Sequence, residues 1–504
     1  MTAPVEREVK LDAEPTFVLP DLDGVLEGVK PGPVDVATLD ATYHDTADLR
    51  LARSGITLRY RVEGEDKGLW TLKLPEGNGV GPALSRTELE VPGEPGTIPE
   101  TLSDLVQVHL RGAPLVPVAE LRTVRRRLAL LDGEGREVAE VDDDEVTALQ
   151  GSRTTSAFRE IEVELRDGAP KRLLPAVVRV LKGAGADVAK GRPLPKAVRV
   201  MGDAALAPPE VEARPLPADP VVGDVVRAAI AAGVERLMRH DPGVRIGADP
   251  EAVHQARVAT RRLRSDLRTF RTVLDQSWVT ATRDELRWVA GALGGVRDGD
   301  VLMDRLRRRV VQLPVQDGPA AQGLLAKLDA ELGQARDALL GVLRSRRYLT
   351  LVETLVQGAN DPPFTEAAAL PAGAALPRQV RKPWRRLARA VDELPSQPGD
   401  VELHHVRVLA KRARYAAEAV APVAGRAATR FAEAVAGLQG VLGDLHDAVV
   451  AQEWLRTAAG RHPTRALVAG EILAQERADA ASLRDRWRAV WEKAAGKKLR
   501  SWMR

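Results

Sequence analysis

The first residues that suggest chemistry lie within ten residues of the start of the chain. In VEREVKL, Glu6, Glu8 and Lys10 are spaced two apart. Successive side chains of a β-strand point to opposite faces, so two carboxylates and one ammonium would share a face. Carboxylates supply the oxygen ligands that Mg²⁺ and Mn²⁺ prefer, and an ammonium binds phosphate oxygens. Since charged side chains are rarely buried without partners, the spacing predicts either a solvated face or a charged site.

Charges alternate in the same way in several later segments. For one strand alone, a sheet with one solvated face is the simpler interpretation. Basic residues occupy some segments and carboxylates others, however, which favours a closed barrel with a wet, charged interior. The alternating residues are Arg59 and Arg61 in TLRYR, Lys73 in TLKLP, Glu88 and Glu90 in RTELE, Arg125 and Arg127 in TVRRRLAL, Glu140, Asp142 and Asp144 in VAEVDDD, and Glu160, Glu162 and Glu164 in FREIEVEL.

A second set of basic residues lies in the C-terminal half and occurs twice. At an offset of 150 residues, the basic positions His254, Arg257, Arg261, Arg262 and Arg264 align with His404, Arg407, Lys411, Arg412 and Arg414. LGGVRD (293–298) matches LGDLHD (442–447), with Arg297 in place of His446, so the two copies are expected to bind unequally. In each copy these basic residues, spaced mainly three or four apart, would form a basic stripe along one face of a helix. Like charges at this spacing destabilise a helix, so an anionic partner explains the stripe better than a solvated face does.

Two kinds of segment must position these residues. The first half contains eight short alternating runs separated by turn residues, which predict an antiparallel sheet, with helices only near 98–110 and 170–186. Beyond about residue 222, long runs rich in Ala, Leu and Arg predict an all-α half built from two copies of one helical bundle. Residues 203–221 are rich in Pro and Ala without periodicity, as expected of a linker.

Length and charge agree with this division. A chain of 504 residues is expected to contain two or three domains. Residues 1–220 contain 28 Lys and Arg against 38 Asp and Glu, whereas the later residues contain 46 against 33. The basic half should therefore attract polyanions. Aromatic residues make up only 3% of the chain, which argues against the base stacking used to bind single-stranded nucleic acid.

Composition also excludes several classes of site. The chain has no cysteine, which excludes disulfides, thiolate metal sites and a cysteine nucleophile. The N-terminal residues lack a signal segment, and no apolar run of roughly 18 residues occurs. We therefore expect a soluble, cytoplasmic protein without a membrane partner.

Five segments of the first half, taken in order, resemble the CYTH domain of the triphosphate tunnel metalloenzymes. They are ExExK (6–10), YHDTADLRLARSGITLRYR (43–61), LKLP (72–75), RTELE (86–90) and EIEVEL (160–165). The resemblance covers about residues 3–202 and implies an eight-stranded antiparallel β-barrel that forms a tunnel. Members of this family include inorganic triphosphatases, thiamine triphosphatases and class IV adenylate cyclases.

The CYTH resemblance also implies roles for individual residues. A triphosphate carries about four negative charges, which suits a ring of Arg and Lys. The implied phosphate ligands are Lys10, Arg59, Arg61, Lys73, Arg125 and Arg127. The implied ligands of Mg²⁺ or Mn²⁺ are Glu6, Glu8, Glu160 and Glu162, assisted by Asp142 or Asp144. A further family lysine matches Lys196 in PKAVR, although Pro195 precedes it where the family has Ser, and Lys190 is the alternative. The run DDDE (142–145) leaves the register of the acidic residues open.

The second half resembles the CHAD domain, the conserved histidine α-helical domain, over about residues 222–495. The segments that carry this resemblance are VHQARVATRRLR, LHHVRVLAKRARY and LGDLHD. It implies two antiparallel helical bundles with a basic central surface that binds inorganic polyphosphate. The ten aligned residues of the two copies would be its ligands.

The sequence therefore predicts a CYTH domain at 3–202, a linker at 203–221 and a CHAD domain at 222–495. The leading hypothesis is a Mg²⁺- or Mn²⁺-dependent inorganic triphosphatase joined to a polyphosphate-binding domain, with triphosphate and long-chain polyphosphate as partners. The alternatives are an adenylate cyclase or organic triphosphatase on the same tunnel, and a non-catalytic polyphosphate-binding or targeting protein. Nucleic acid is not expected as a specific partner, and the expected location is the cytoplasm, in association with polyphosphate granules. The preferred substrate, the metal and the oligomeric state stay open.

Overall fold

A computed structural model describes residues 5–64, 68–75, 84–151, 153–188, 195–460 and 462–503, and for residues 5–8, 84–86 and 188 it describes the backbone alone. The chain divides into two compact units, residues 1–210 and 211–504.

The first unit is built on an antiparallel sheet. Its strands are β1 (Val5–Ala13), β2 (Lys30–Asp45), β3 (Thr57–Glu63), β4 (Leu69–Pro75), β5 (Leu84–Pro92), β6 (Val116–Leu131), β7 (Glu137–Gln150), β8 (Arg153–Leu165) and the two-residue β9 (Asp187–Val188). The order is β5-β4-β3-β2-β6-β7-β8-β1-β9, and β1 also pairs with β5. The eight long strands therefore form a closed ring, which confirms the predicted eight-stranded barrel.

Among the described residues, six short helices accompany the barrel: α1 (Arg50–Arg53), α2 (Glu100–Leu105), α3 (Gln107–Leu110), α4 (Leu173–Gly183), α5 (Lys196–Met201) and α6 (Asp203–Leu206). Helices α2, α3 and α4 fall in the two predicted regions. The other three were not predicted, because four to six residues are too few to show a helical period. The expected linker begins with α6, where Ala205 packs against Ala52 and Val198.

The alternation of residue types decides which strand face lines the barrel. On β1, Val9 and Leu11 are buried in a cluster with Val141 and Ile161 that packs beneath α4. These apolar positions cover the outside of the barrel, so the charged positions between them face its interior.

The second unit is all-helical, as predicted. Its helices are α7 (Val222–Ile246), α8 (Pro250–Thr269), α9 (Gln276–Val310), α10 (Gly318–Arg344), α11 (Arg346–Asn360), α12 (Ala372–Ala375), α13 (Arg381–Asp392), α14 (Asp400–Ala458) and α15 (Pro463–Ala494). Helix α14 breaks at Gly425, where φ is 67° and ψ is −155°, a region that only glycine adopts readily. Across the described ranges, we find no helix with the length and hydrophobicity needed to cross a membrane.

The break in α14 shows how the internal repeat is built. The first copy carries His254 on α8 and LGGVRD on α9, and the second carries His404 before the break and LGDLHD after it. Helix α8 packs against α14. The two basic stripes are therefore brought together by direct helix packing.

Candidate functional site

The barrel encloses a charged cavity of about 680 Å³. Nine of the residues that were assigned a role in the site from the sequence line it, namely Lys10, Arg59, Arg61, Lys73, Arg125, Arg127, Asp142, Glu162 and Lys196. They come from β1, β3, β4, β6, β7, β8 and the start of α5. The fold thus brings charged residues that alternate along separate strands together in one cavity.

Strand register sets which charges face each other. Across four neighbouring strands, Arg127 pairs with Asp142, Asp142 with Glu162, and Glu162 with Lys10. One step along, Arg125 pairs with Asp144, and Asp144 with Glu160. In both rows, two adjacent carboxylates from β7 and β8 follow an arginine of β6, and in the first row Lys10 of β1 lies on the other side of the pair.

Asp144 and Glu160 do not line the cavity but lie buried behind its lining residues Lys10, Arg125 and Lys196, with exposed fractions of 0% and 2%; we call this pair the floor. Lys196 Nζ lies 2.9 Å from Asp144 Oδ2, 3.2 Å from Glu160 Oε1 and 2.7 Å from Glu162 Oε1. Arg125 donates to both oxygens of Asp144 at 2.8 and 2.7 Å. Lys10 contacts Glu160 and Glu162 from β1. At least four cation–carboxylate pairs therefore meet at this floor, namely Lys196–Asp144, Lys196–Glu160, Arg125–Asp144 and Lys10–Glu160.

These contacts shift the ionisation of the floor carboxylates. Burial opposes charge on Glu160, but Lys10 and Lys196 outweigh burial and lower the pKa of Glu160 to about 2. Burial likewise opposes charge on Asp144, while Lys196 and Arg125 hold its pKa well below the usual range. The pKa of Lys196 is raised in turn, because Asp144 and Glu160 outweigh the effect of its burial. All three groups are therefore charged at neutral pH.

The structure also gives the register of the acidic run at 142–145. Asp142 lines the cavity, and Asp144 lies on its floor. Asp143 instead accepts two hydrogen bonds from Arg159, at 2.8 and 2.6 Å, and Glu145 accepts one from Arg126 at 2.8 Å. The even-numbered members of the run therefore belong to the site.

Lys196 begins helix α5, and Pro195 is the residue that caps it. A proline at this position is compatible with a helix start, because its φ is fixed and no N–H is needed there. The alternative, Lys190, lies outside the described residues, as do the side chains of Glu6 and Glu8. The backbone of Glu8 pairs with Glu164 of β8 and with Leu84 of β5.

Several lining residues were not assigned to the site from the sequence. Glu88 lies 2.9 Å from Lys73 and 4.0 Å from Arg59, and the hydroxyl of Tyr43 accepts a long 3.4 Å hydrogen bond from Arg59. The other unassigned lining residues are Thr57, Glu90, Glu140, Glu164, Leu165, Arg166, Asp167 and Pro195. Glu88, Glu90, Glu140 and Glu164 show the same every-second spacing of charges as the assigned residues, so the sequence could have placed them in the site. Tyr43 and Thr57 carried no such signal.

Arg166 forms ion pairs with three glutamates at one end of β7 and β8. It pairs with Glu137 at 2.5 Å, Glu140 at 2.6 Å and Glu164 at 3.0 Å. Its position two residues after Glu164 follows the spacing of β8, which is the signal that could have identified it.

The donor set of the cavity suits a divalent metal ion. Among the residues whose side chains are described, no three carboxylates or imidazoles already converge on one point. However, Asp142 Oδ1 is buried without a hydrogen-bond donor. Burial raises the pKa of Asp142 to about 7 against the effect of Arg125, because Glu140 and Asp144 add negative charge nearby. A hard cation that takes carboxylate oxygens would satisfy this atom and offset this excess, so the residues fit such an ion.

In the helical unit, residues of both repeats meet around one tyrosine. The guanidinium carbons of Arg261, Arg262 and Arg414 lie 5.4, 5.9 and 5.7 Å from the centre of the Tyr415 ring. Glu418 accepts from Arg414 at 2.6 Å and also pairs with Arg262. The predicted repeat residues therefore form a cross-repeat cluster, although Arg262 and Arg414 are partly neutralised.

The two repeats use equivalent aspartates. Arg257 donates to Asp298 of LGGVRD at 2.8 Å, and Asp447 of LGDLHD exerts the strongest attraction on the equivalent Arg407, whose pKa burial nevertheless lowers. Burial, together with repulsion by Arg407, Arg261 and Arg257, lowers the pKa of Lys411 to about 7. Cations thus exceed anions here, so the cluster favours an anionic ligand.

The remaining repeat residues have different surroundings. Arg264 lies among Arg283 and Arg287, and Arg412 lies near Arg386. His404 faces His446, with their Nδ1 atoms 3.3 Å apart, whereas His254 lies near Arg297, which replaces that second histidine. The imidazoles of the two copies are therefore inequivalent.

Comparison with known proteins identifies both units. The CYTH domain family matches residues 5–183, and the CHAD domain family matches residues 228–456. The chain belongs to the CYTH–CHAD proteins. "Uncharacterized protein MT2285" from Mycobacterium tuberculosis (strain CDC 1551 / Oshkosh) is 34% identical over 479 residues, covering 90% of this chain and 88% of the relative. The CYTH unit thus holds the charged cavity, and the CHAD unit holds the basic cluster.

Solved structures are also similar to part of the chain. "Crystal structure of the CHAD domain from the plant Ricinus communis" is 26% identical and covers 56% of this chain and 95% of that one, with a TM-score of 0.46. "PptA from Streptomyces chartreusis" is 24% identical and covers 54% of this chain and 99% of that one, with a TM-score of 0.46.

The floor of the CYTH cavity should make the protein sensitive to acid. The folded-state pKa of Glu160, about 2, lies below its ordinary value of 4.5, so its stabilising effect is present above pH 4.5 and is lost as the pH falls towards 2. Glu160→Gln should reduce the acid slope of unfolding free energy by up to about 1.4 kcal/mol per pH unit. Denaturant unfolding between pH 2 and 6 measures this, with Glu120→Gln, an exposed carboxylate on β6, as the control. Equal acid slopes for the two variants would contradict the assigned contacts.

Proposed function

We propose that this chain hydrolyses inorganic triphosphate to diphosphate and phosphate with Mg²⁺ or Mn²⁺, and that its CHAD unit binds long-chain polyphosphate. The observation that carries the first part is the lining of the CYTH cavity, where eight of the described lining residues are Lys or Arg and seven are Asp or Glu. A triphosphate of about four negative charges would exchange some of these internal ion pairs for bonds to its own oxygens.

The lining supports an inorganic substrate over a nucleotide or a thiamine phosphate. Tyr43 is the one aromatic side chain among the described residues that line the cavity, and its hydroxyl is turned to Arg59. Base and thiazole rings are usually held by apolar or aromatic surfaces, whereas phosphate groups need charge. The described wall offers charge along nearly all of its extent, which suits a substrate made of phosphate alone.

The basic residues would divide the work of binding. Arg59, Arg61, Arg125 and Arg127 present planar guanidinium groups that can each bind two phosphate oxygens. Lys10 and Lys73 add compact charges from β1 and β4. Lys196 holds Asp144, Glu160 and Glu162 at the floor, so it would keep the carboxylates in place during turnover.

Carboxylates would hold the metal ions, and the residues proposed for this are Glu6, Glu8, Asp142, Glu160 and Glu162. Asp144 would assist. Like Glu160 and Glu162 it already contacts cationic side chains, here Arg125 and Lys196, which a metal ion would displace. When bound, divalent cations neutralise phosphate oxygens and lower the pKa of a coordinated water for in-line attack on the terminal phosphorus. The arginines and lysines would then stabilise the charge on the diphosphate leaving group.

Polyphosphate binding by the CHAD unit is supported by unsatisfied donors. The Nε atoms of Arg261, Arg264, Arg283 and Arg407 are buried without a hydrogen-bond partner. A buried donor left without an acceptor costs about 1–3 kcal/mol, and phosphate oxygens would supply the missing acceptors. These arginines come from both repeats and from α9, so a linear polyanion could contact several of them at once.

Loss of the acidic pair on β1 tests the CYTH proposal. The double variant Glu6→Gln, Glu8→Gln keeps side-chain shape but removes two negative charges that divalent cations require. Metal-dependent phosphate release from triphosphate should fall by at least about a hundredfold, while the melting temperature changes little. The matched control is again Glu120→Gln. Turnover at the wild-type rate in the double variant would eliminate a metal site at these residues.

The titration of Lys411 tests the CHAD proposal. Its pKa of about 7 in the free protein should rise when an anion binds, so binding takes up a proton. Polyphosphate affinity should therefore fall about tenfold from pH 6 to pH 8, if Lys411 stays charged in the complex. Lys411→Arg, which stays cationic, should bind with a much flatter pH dependence in isothermal titration calorimetry. A variant as steep as the wild type would exclude Lys411 from the site.

A further inference from the structure

A third group of basic residues lies on α13 and the turn before it, outside the ten repeat residues. Arg378, Arg381, Lys382, Arg385, Arg386 and Arg389 line one cleft of about 510 Å³. All six are exposed, and every residue that lines this cleft is cationic. We call these six residues the α13 patch.

The charges of the α13 patch are almost uncompensated. Arg389 has Glu393 at 3.7 Å, but within the described chain none of the other five cations has a carboxylate within 4.0 Å. Like charges three or four residues apart each destabilise a helix by about 0.2–0.5 kcal/mol. An anion in the cleft would relieve this repulsion, whereas the free protein bears it.

The opposite face of α13 holds the patch in position. Trp384, Leu387 and Val391 are buried. The Trp384 ring stacks on Trp491 with centroids 5.4 Å apart and meets the edge of Phe431 at 5.5 Å. The cations are therefore presented by an anchored helix rather than by a loose segment, which lowers the entropic cost of ligand binding.

The same packing narrows the chemistry of the ligand. Because the apolar face of α13 is already buried, the helix has no apolar stripe left to enter a lipid surface. The patch also lacks an exposed aromatic ring on which a nucleic-acid base could stack, since Trp384 is covered. These features favour a polyanion that carries phosphate groups without bases or acyl chains.

The patch is continuous with the repeat stripes. Helix α13 packs against α14, and Arg386 is the charged neighbour that acts on Arg412 of the second repeat. Arg412 in turn lies near Arg268, which follows Arg264 on the stripe of α8. A line of cations therefore leads from the repeats to α13.

We propose that the α13 patch is an additional binding segment for linear inorganic polyphosphate, engaged by chains too long for the repeat stripes alone. This inference rests on the proposed polyphosphate binding by the CHAD unit. It predicts that α13 contributes to affinity in proportion to chain length, whereas the repeat residues contribute for short and long chains alike.

The test compares two variants of the full chain that each lose five positive charges. The patch variant is Arg378→Gln, Arg381→Gln, Lys382→Gln, Arg385→Gln and Arg386→Gln. The control variant is Lys327→Gln, Arg346→Gln, Arg456→Gln, Arg477→Gln and Arg486→Gln. These five residues are exposed, and within the described part of the chain none has a carboxylate within 4.0 Å. Binding of short oligophosphate, long polyphosphate and duplex DNA is measured at several salt concentrations, after equal melting temperatures are established.

We expect the patch variant to bind long polyphosphate at least about tenfold more weakly, with a shallower salt dependence, and to bind short oligophosphate within about twofold of wild type. The control variant should resemble wild type for both chains. Three outcomes would overturn the α13 inference and leave the proposed CHAD function standing. They are an unchanged affinity of the patch variant for long chains, an equal loss in the control variant, and a loss confined to duplex DNA. Failure of the wild-type protein to bind any polyphosphate would overturn the proposed CHAD function together with the α13 inference.

Discussion

Charges placed inside a closed barrel must be balanced within it, and this requirement organises the CYTH unit. Lys196 reaches three carboxylates from α5, and Arg125 grips Asp144 with two nitrogens. Removing one partner of a buried ion pair costs about 3–5 kcal/mol, so the members of this network depend on one another. Strand register, the short helix α5 and the capping Pro195 all act to keep this balance. In the proposed function, these internal ion pairs would be exchanged for bonds to metal ions and phosphate.

In the basic cluster of the CHAD unit, by contrast, positive charges exceed the negative charges beside them. Its arginines are also partly buried, but several of their nitrogens lack acceptors, and burial together with cationic neighbours lowers the pKa of Lys411 to about 7. Helix packing by buried Ala and Leu side chains holds these like charges near one another. A unit whose charges compensate each other suits a small substrate that is bound and released. A unit with excess positive charge suits a long polyanion that is retained.

Much of this arrangement follows from the sequence. Alternation in VEREVKL, TLRYR and FREIEVEL was enough to predict the strands and which positions share a face, because a strand repeats every two residues. Sequence could not give the partner of each charge, since register between distant strands depends on the whole ring. It therefore left the register of the acidic run at 142–145 open, and it missed Arg166. Helix α5 was missed because six residues show no period, and the α13 patch was missed because it lies outside the repeated motif.

The central claim is that the charged cavity acts on a substrate made of phosphate alone. The most direct measurement is phosphate release by the purified full-length protein from triphosphate, ATP, thiamine triphosphate and long-chain polyphosphate, each with Mg²⁺, with Mn²⁺ and with chelator. The account predicts that kcat/KM for triphosphate exceeds that for ATP and thiamine triphosphate by at least about tenfold, or about 1.4 kcal/mol, and that chelator abolishes it. A preference for ATP, formation of a cyclic nucleotide, or full activity in chelator would contradict it.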